Sequence, residues 1–206
     1  MRSRSNDAVW MGSALCAALA LAVSVLVIRG APGIGLALQA TGRLSFLLFW
    51  PAYSASALTA LFGPAFQPLK QHARELGLAF SAALLVHLGL VGLLCWFFEA
   101  PSVRTFIFFG GAVVCAYLLA LFSIPRLHQA LGPKYWWLLS NVGMNYLAYA
   151  FFKDFWNEPL RGGIKHVLAY LPFAVLAVAG PMLRLAAFAQ RIGRRTAAKL
   201  APWFAL

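Results

Sequence analysis

The chain has 206 residues, of which 62% are hydrophobic and only 11% charged, and its mean hydropathy is +0.78. Soluble domains carry about 25% charged residues, so this composition excludes a soluble enzyme core and reads as a single integral membrane domain over 1–206. The net charge of +12 would suit the phosphates of a nucleic acid. The basic residues, however, lie between and after apolar stretches, where they orient helices and meet anionic lipid, so the lipid bilayer is the expected partner and nucleic acid is not.

Six apolar stretches follow one another, each close to the roughly 20 residues that a helix needs to cross a hydrocarbon core about 30 Å thick. They fall at about 9–28, 44–62, 76–98, 105–124, 135–152 and 166–187, which predicts an all-α bundle of six transmembrane helices. The first follows Arg2 and Arg4 and has the outline of a signal peptide. Its apolar part exceeds the usual length of about 7–15 residues, and Leu15 stands before Cys16 where a lipoprotein signal needs a small residue. It therefore reads as an uncleaved span. Pro51 interrupts the second stretch, and Pro172 and Pro181 the sixth. Neighbouring helices satisfy freed carbonyls in a membrane, so kinks are expected rather than breaks. The fifth opens on Trp136 and Trp137, whose rings favour the interface. After the sixth, Arg191, Arg194, Arg195 and Lys199 precede Trp203 and Phe204, so residues 188–206 read as a basic amphipathic cytoplasmic tail against lipid headgroups.

Lys and Arg give the orientation. Eleven of the seventeen lie at the two termini, in the second loop (Lys70, Arg74) and in the fourth (Arg126, Lys134). Arg29, Arg43, Arg104, Lys153, Arg161 and Lys165 lie on the other side. Positive residues favour the cytoplasm, so both termini are expected inside.

His87 is the twelfth of the twenty-three residues in the third stretch, close to the bilayer centre and beyond easy reach of the interface. An ionisable group at that depth needs a partner or a task. Two readings stay open: a neutral imidazole hydrogen-bonded to a neighbouring helix, or a ligand to a cofactor metal. Asn141, Asn145 and Tyr149 recur every four residues on the fifth stretch. They are the expected partners, and they would pack the third span on the fifth. His72, His128 and His166 fall at interfaces, where a histidine needs no ligand to explain it.

Cys16, Cys95 and Cys115 lie within spans and show no CxxC or CxxCH spacing, which excludes c-type haem attachment and zinc ribbons and leaves packing. The acids are Asp7, Glu75, Glu99, Asp154 and Glu158, all in loops or at span edges, so a proton-coupled transporter is not expected. No phosphate loop, HExxH or GxSxG is present, which removes the usual apparatus of hydrolysis and group transfer. One-electron chemistry remains, because there a cofactor carries the reaction and the protein supplies ligands and surroundings.

Three segments add a resemblance. Thr41-Gly42-Arg43 opens the second span, and Arg74-Glu75-Leu76-Gly77-Leu78 leads into the third, with His87 beyond it. Leu131-Gly132-Pro133-Lys134-Tyr135 leads into the fifth. In that order, over about 36–187, they resemble the ferric-reductase-like transmembrane domain family, in particular the haem-binding membrane subunits of periplasmic methionine sulfoxide reductase systems. The resemblance implies a bundle of the cytochrome b type in a bacterial inner (plasma) membrane. It implies an oxidoreductase subunit that passes electrons across that membrane to a partner reductase or redox protein. Haem b would be held by His87, with quinone or flavin at the membrane surface. The family's two fifth-span histidines fall here on Leu139 and Phe152, which cannot ligate iron, and Met144 is a thioether near mid-depth on that span. Two functions therefore stand side by side: an electron-transfer protein holding one b haem through His87, and a haem-free structural or assembly protein of the same fold.

Overall fold

The computed structural model describes residues 31–98, 100–157 and 164–200, together with Met11, Gly12, Leu15, Ala18 and Leu19 of the preceding segment. Every element among these residues is helical. In chain order they are α1 (Ala31–Phe62), a 3-10 turn (Pro64–Phe66), α2 (Gln67–Gln71), α3 (Ala73–Phe97), α4 (Val103–Phe122), α5 (Pro125–Asn157) and α6 (Ile164–Leu200). Four segments are long and apolar enough to cross a membrane: Gly33–Phe62, Ala73–Phe97, Val103–Phe122 and Val167–Arg194. They coincide with the second, third, fourth and sixth expected spans. The first, 9–28, lies mostly outside the described residues. Its Gly12 sits against α3, where an added Cβ would fall 2.9 Å from the Ala79 carbonyl oxygen.

At three places the helices differ from the expected stretches in extent or character. The second span was expected over 44–62, but α1 begins at Ala31 and runs through Arg43 and Pro51 without a break. Arg43 does not end it, because its guanidinium lies over the rings of Tyr170 (4.4 Å) and Phe173 (5.5 Å) on α6. The expected fifth span, 135–152, is helical but is not among the four apolar segments, since Ser140, Asn141, Gly143 and Asn145 dilute it. Gly132 breaks α5 at φ 76° and ψ 162°, a conformation that glycine tolerates, and Pro133 then opens the second part, where a missing N–H costs nothing. Finally, α6 continues to Leu200, so the start of the expected tail extends the sixth helix. With its amide turned to the orientation that satisfies both neighbours, Gln190 donates there to the Ala60 carbonyl (3.1 Å) and accepts from Arg194 Nη2 (3.2 Å). The side chains of Arg195 and Lys199, and all of Trp203 and Phe204, fall outside the described residues.

α1 is the hub of the bundle. It packs most extensively on α3 and α6, while α5 packs on α4 and α6. Consecutive α3 and α4 touch only lightly. Lipid is as apolar as a leucine side chain, so close packing rather than water exclusion holds such helices together. The core shows it: the Phe46 ring meets Phe151 at 5.1 Å and Phe155 at 5.0 Å, and Phe49 meets Phe80 at 5.4 Å. Small residues let the backbones approach. A Cβ on Gly180 would fall 3.1 Å from Trp50 Nε1 and 3.2 Å from Tyr53.

Candidate functional site

His87 faces α1, and its partner is Thr41. Thr41 Oγ1 lies 2.9 Å from His87 Nδ1, 2.8 Å from the Ala37 carbonyl oxygen and 3.2 Å from that of Leu38. A hydroxyl has one proton and a carbonyl can only accept. The ring also hydrogen-bonds the Leu38 backbone, so its contacts on α1 suit the tautomer with Nδ1–H, in which Thr41 donates to the backbone, accepts from His87 and leaves the lone pair on Nε2. Thr41 is fully buried at 0% exposure, so water does not compete for the contact. Gly42 makes room beside it, since a Cβ there would lie 3.5 Å from His87 Cε1.

The imidazole lines a cavity of about 690 Å³, within the roughly 300–1,000 Å³ usual for small-molecule sites. The cavity fills the wedge where α3 and α4 part. Leu84, His87 and Cys95 of α3 face Phe109 and Ala112 of α4, with Gly42, Arg43 and Ser45 of α1, Leu147 and Phe151 of α5 and Tyr170 of α6 completing the wall. Along α3 it reaches from Phe80 to Cys95, about 22 Å at the helical rise. Gly92 on α3 and Phe106 on α4 line it and are exposed, so the wedge opens sideways. Two polar atoms of the lining residues are buried without a hydrogen-bond partner, Arg43 Nε and Ser45 Oγ, and Ser45 is 1% exposed.

The expected partners of His87 are engaged elsewhere. Asn141 Oδ1 accepts from Arg184 Nη2 at 3.0 Å, while its Nδ2 donates to the Trp137 carbonyl at 2.9 Å. Asn145 Oδ1 accepts from Tyr53 OH at 2.8 Å. Tyr149 is exposed, its ring edge-on to Phe108 at 5.7 Å. The third span does not pack along the fifth; the rings of Phe80 and Phe151 meet at 6.1 Å across the cavity wall. The stripe on α5 instead faces α1 and α6, which supply its donors.

Sequence reasoning missed Arg184, which it placed among the cytoplasmic charges. Arg184 lies within Val167–Arg194, with its guanidinium 4.6 Å from the centre of the Tyr53 ring. The expected sixth stretch, 166–187, already enclosed this charge, so its place inside a span was readable while its partners on α1 and α5 were not. The other candidates are peripheral. His72 Nδ1 meets the Pro68 carbonyl at 2.8 Å on an exposed turn, and the His128 ring packs against Trp136 at 4.7 Å. The His166 side chain and Cys16 fall outside the described residues. Cys115 and Met144 pack against the core rather than lining the cavity, and Phe152 leans on Trp156 at 5.2 Å. Among the described residues no three His, Cys, Asp or Glu side chains gather as a metal cluster; the site holds one imidazole in a mainly apolar cavity whose lining also includes the Arg43 guanidinium and the carboxylate of Asp154, an acid expected at a span edge but carried here within α5. Comparison with family models, curated proteins and solved structures finds no match.

Proposed function

We propose that this is a six-span membrane protein of the cytochrome b type that holds one b haem through His87 and transfers single electrons to a partner redox protein. The orientation of His87 carries the reading. Its Nδ1–H is taken by Thr41, which leaves the basic Nε2 as the nitrogen for a metal, the arrangement by which ligating imidazoles are held and tuned. Thr41 and Gly42, from one of the segments that resemble the ferric-reductase-like family, both act on His87.

The residues would hold the group through one histidine. The cavity is roomy enough for a small-molecule cofactor, and among the described residues no second imidazole and no thioether lines it, so this chain would offer a haem iron His87 alone. A b haem would supply a one-electron couple there. This chain would supply the imidazole, its hydrogen-bonded tautomer through Thr41, and walls such as Leu84, Phe109 and Leu147 that exclude water. Quinone or flavin would exchange electrons at the membrane surface.

Six spans require stretch 9–28 and α5 besides the four apolar helices. The amides of α5 are turned to Arg184 and Tyr53, which makes a helix with polar groups tolerable in lipid. The Lys and Arg distribution supports both termini in the cytoplasm of a bacterial inner membrane.

The test is the visible spectrum of the purified protein, oxidised and reduced, after expression with haem supplied. A Soret band and a sharp α band are expected, lost in His87→Ala and kept in His72→Ala. A flat spectrum from a folded protein would remove haem and leave the haem-free structural or assembly role.

A further inference from the structure

We infer that the cavity holds an acid-binding subsite at Arg43: its occupant is an amphiphile with a carboxylate on the Arg43 guanidinium and an apolar body lying along α3 beside His87. Nothing in this inference requires iron, so it goes beyond the haem reading and stands or falls separately.

The argument starts from an arginine inside the span Gly33–Phe62. A charge at that position is retained where it meets a counter-charge or does work. Its guanidinium lies over the rings of Tyr170 at 4.4 Å and Phe173 at 5.5 Å. Ring faces stabilise the cation but take little of its five N–H donors, and Nε is buried with no acceptor. The guanidinium is planar and carries its donors in a fork that matches a carboxylate through two parallel hydrogen bonds. Two residues on, Ser45 is 1% exposed and leaves its Oγ unpartnered at the same cavity.

The rest of the wall defines the remainder of the molecule. Leu84, Val91, Phe109, Val113 and Leu147 offer no polar atoms beyond their backbones, whereas Gln39, Thr105 and Asp154 put polar side chains into other parts of the same lining, so the body of the ligand is apolar where it lies along α3 and α4. Its length is bounded by the stretch from Phe80 to Cys95, about 22 Å. A carboxylate on such a body has two sources in a membrane, the propionate of a porphyrin and a free fatty acid.

The experiment uses the purified full-length chain in detergent and metal-free protoporphyrin IX as probe, followed by fluorescence polarisation, beside its dimethyl ester. Without iron the His87 bond is not read, so failure of the haem reading leaves this measurement intact. Saturable binding of the diacid is expected, weakened about ten-fold or more by Arg43→Met. Ester binding should be equal in the two proteins. Arg43→Lys, which keeps the charge and loses the fork, should give a smaller loss of the same kind and serves if Arg43→Met does not fold. Displacement of the diacid by palmitate but not methyl palmitate supports the subsite with a fatty acid as source; no displacement by either supports it with a porphyrin propionate. Absence of saturable diacid binding, equal diacid binding in wild type and variant, or equal loss of acid and ester would each overturn it.

Discussion

Thr41 controls which face His87 offers to the cavity, because its single proton is already committed to the helix backbone behind it. Thr41→Val keeps the shape and removes the acceptor. On the proposed haem reading, haem affinity should fall about 10- to 100-fold, the usual cost of losing the group that orients a ligating imidazole, with little change in helicity. Nitrogen spectra of histidine-labelled wild type should show His87 protonated at Nδ1, and the variant should lose that preference. Equal affinity and an unchanged tautomer in Thr41→Val would refute the role. That His87 bonds to a neighbouring helix was legible from its depth, but the partner was not. A threonine that bonds to the carbonyl four residues back leaves no mark in hydropathy. The louder polar signal, the Asn141 and Asn145 stripe, belongs to Arg184 and Tyr53.

The docking of α6 on α1 depends on one missing methyl group. Trp50 Nε1 donates to the Leu176 carbonyl at 2.7 Å, and Gly180 lies beneath the Trp50 and Tyr53 rings. Gly180→Ala would force both rings aside and should cost about 1–3 kcal/mol, as overpacking does. Gly89→Ala on α3, which meets open space, should be neutral or stabilising by about 0.4–1 kcal/mol through the unfolded chain. Thermal unfolding in detergent compares the two, and equal midpoints would mean that α6 is free to shift. Arg184→Met, which leaves Asn141 Oδ1 without its donor, should cost about 0.6–2 kcal/mol, and a double-mutant cycle with Asn141→Leu should recover most of it. The interiors of α1, α3, α4 and α6 were readable because hydropathy integrates over a whole span. The start of α1 was not, because Arg43 is a charge absorbed by aromatic faces on another helix.

Across the whole molecule, the orientation proposed from Lys and Arg puts Lys70 and Ile124 in the cytoplasm and Ser102 on the opposite side. Reporter fusions at those three positions should report inside, inside and outside; Lys70 and Ser102 on one side would reject the arrangement. All-helical architecture followed from composition and period. The cavity did not, because it arises from which helices fail to meet. Nothing in the segment between Phe97 and Val103 says that the two helices it joins will part while both hold to others. Since they part, the opening beside Gly92 and Phe106 lies on the flank of two apolar helices, about one to two turns from the ends that the loop joins. An apolar occupant entering there from a bilayer would arrive by lateral diffusion within a two-dimensional solvent. Occupancy follows moles of ligand per mole of lipid: dilution with buffer at a fixed ligand-to-lipid ratio leaves the protein as full as before, whereas dilution with empty vesicles drains it.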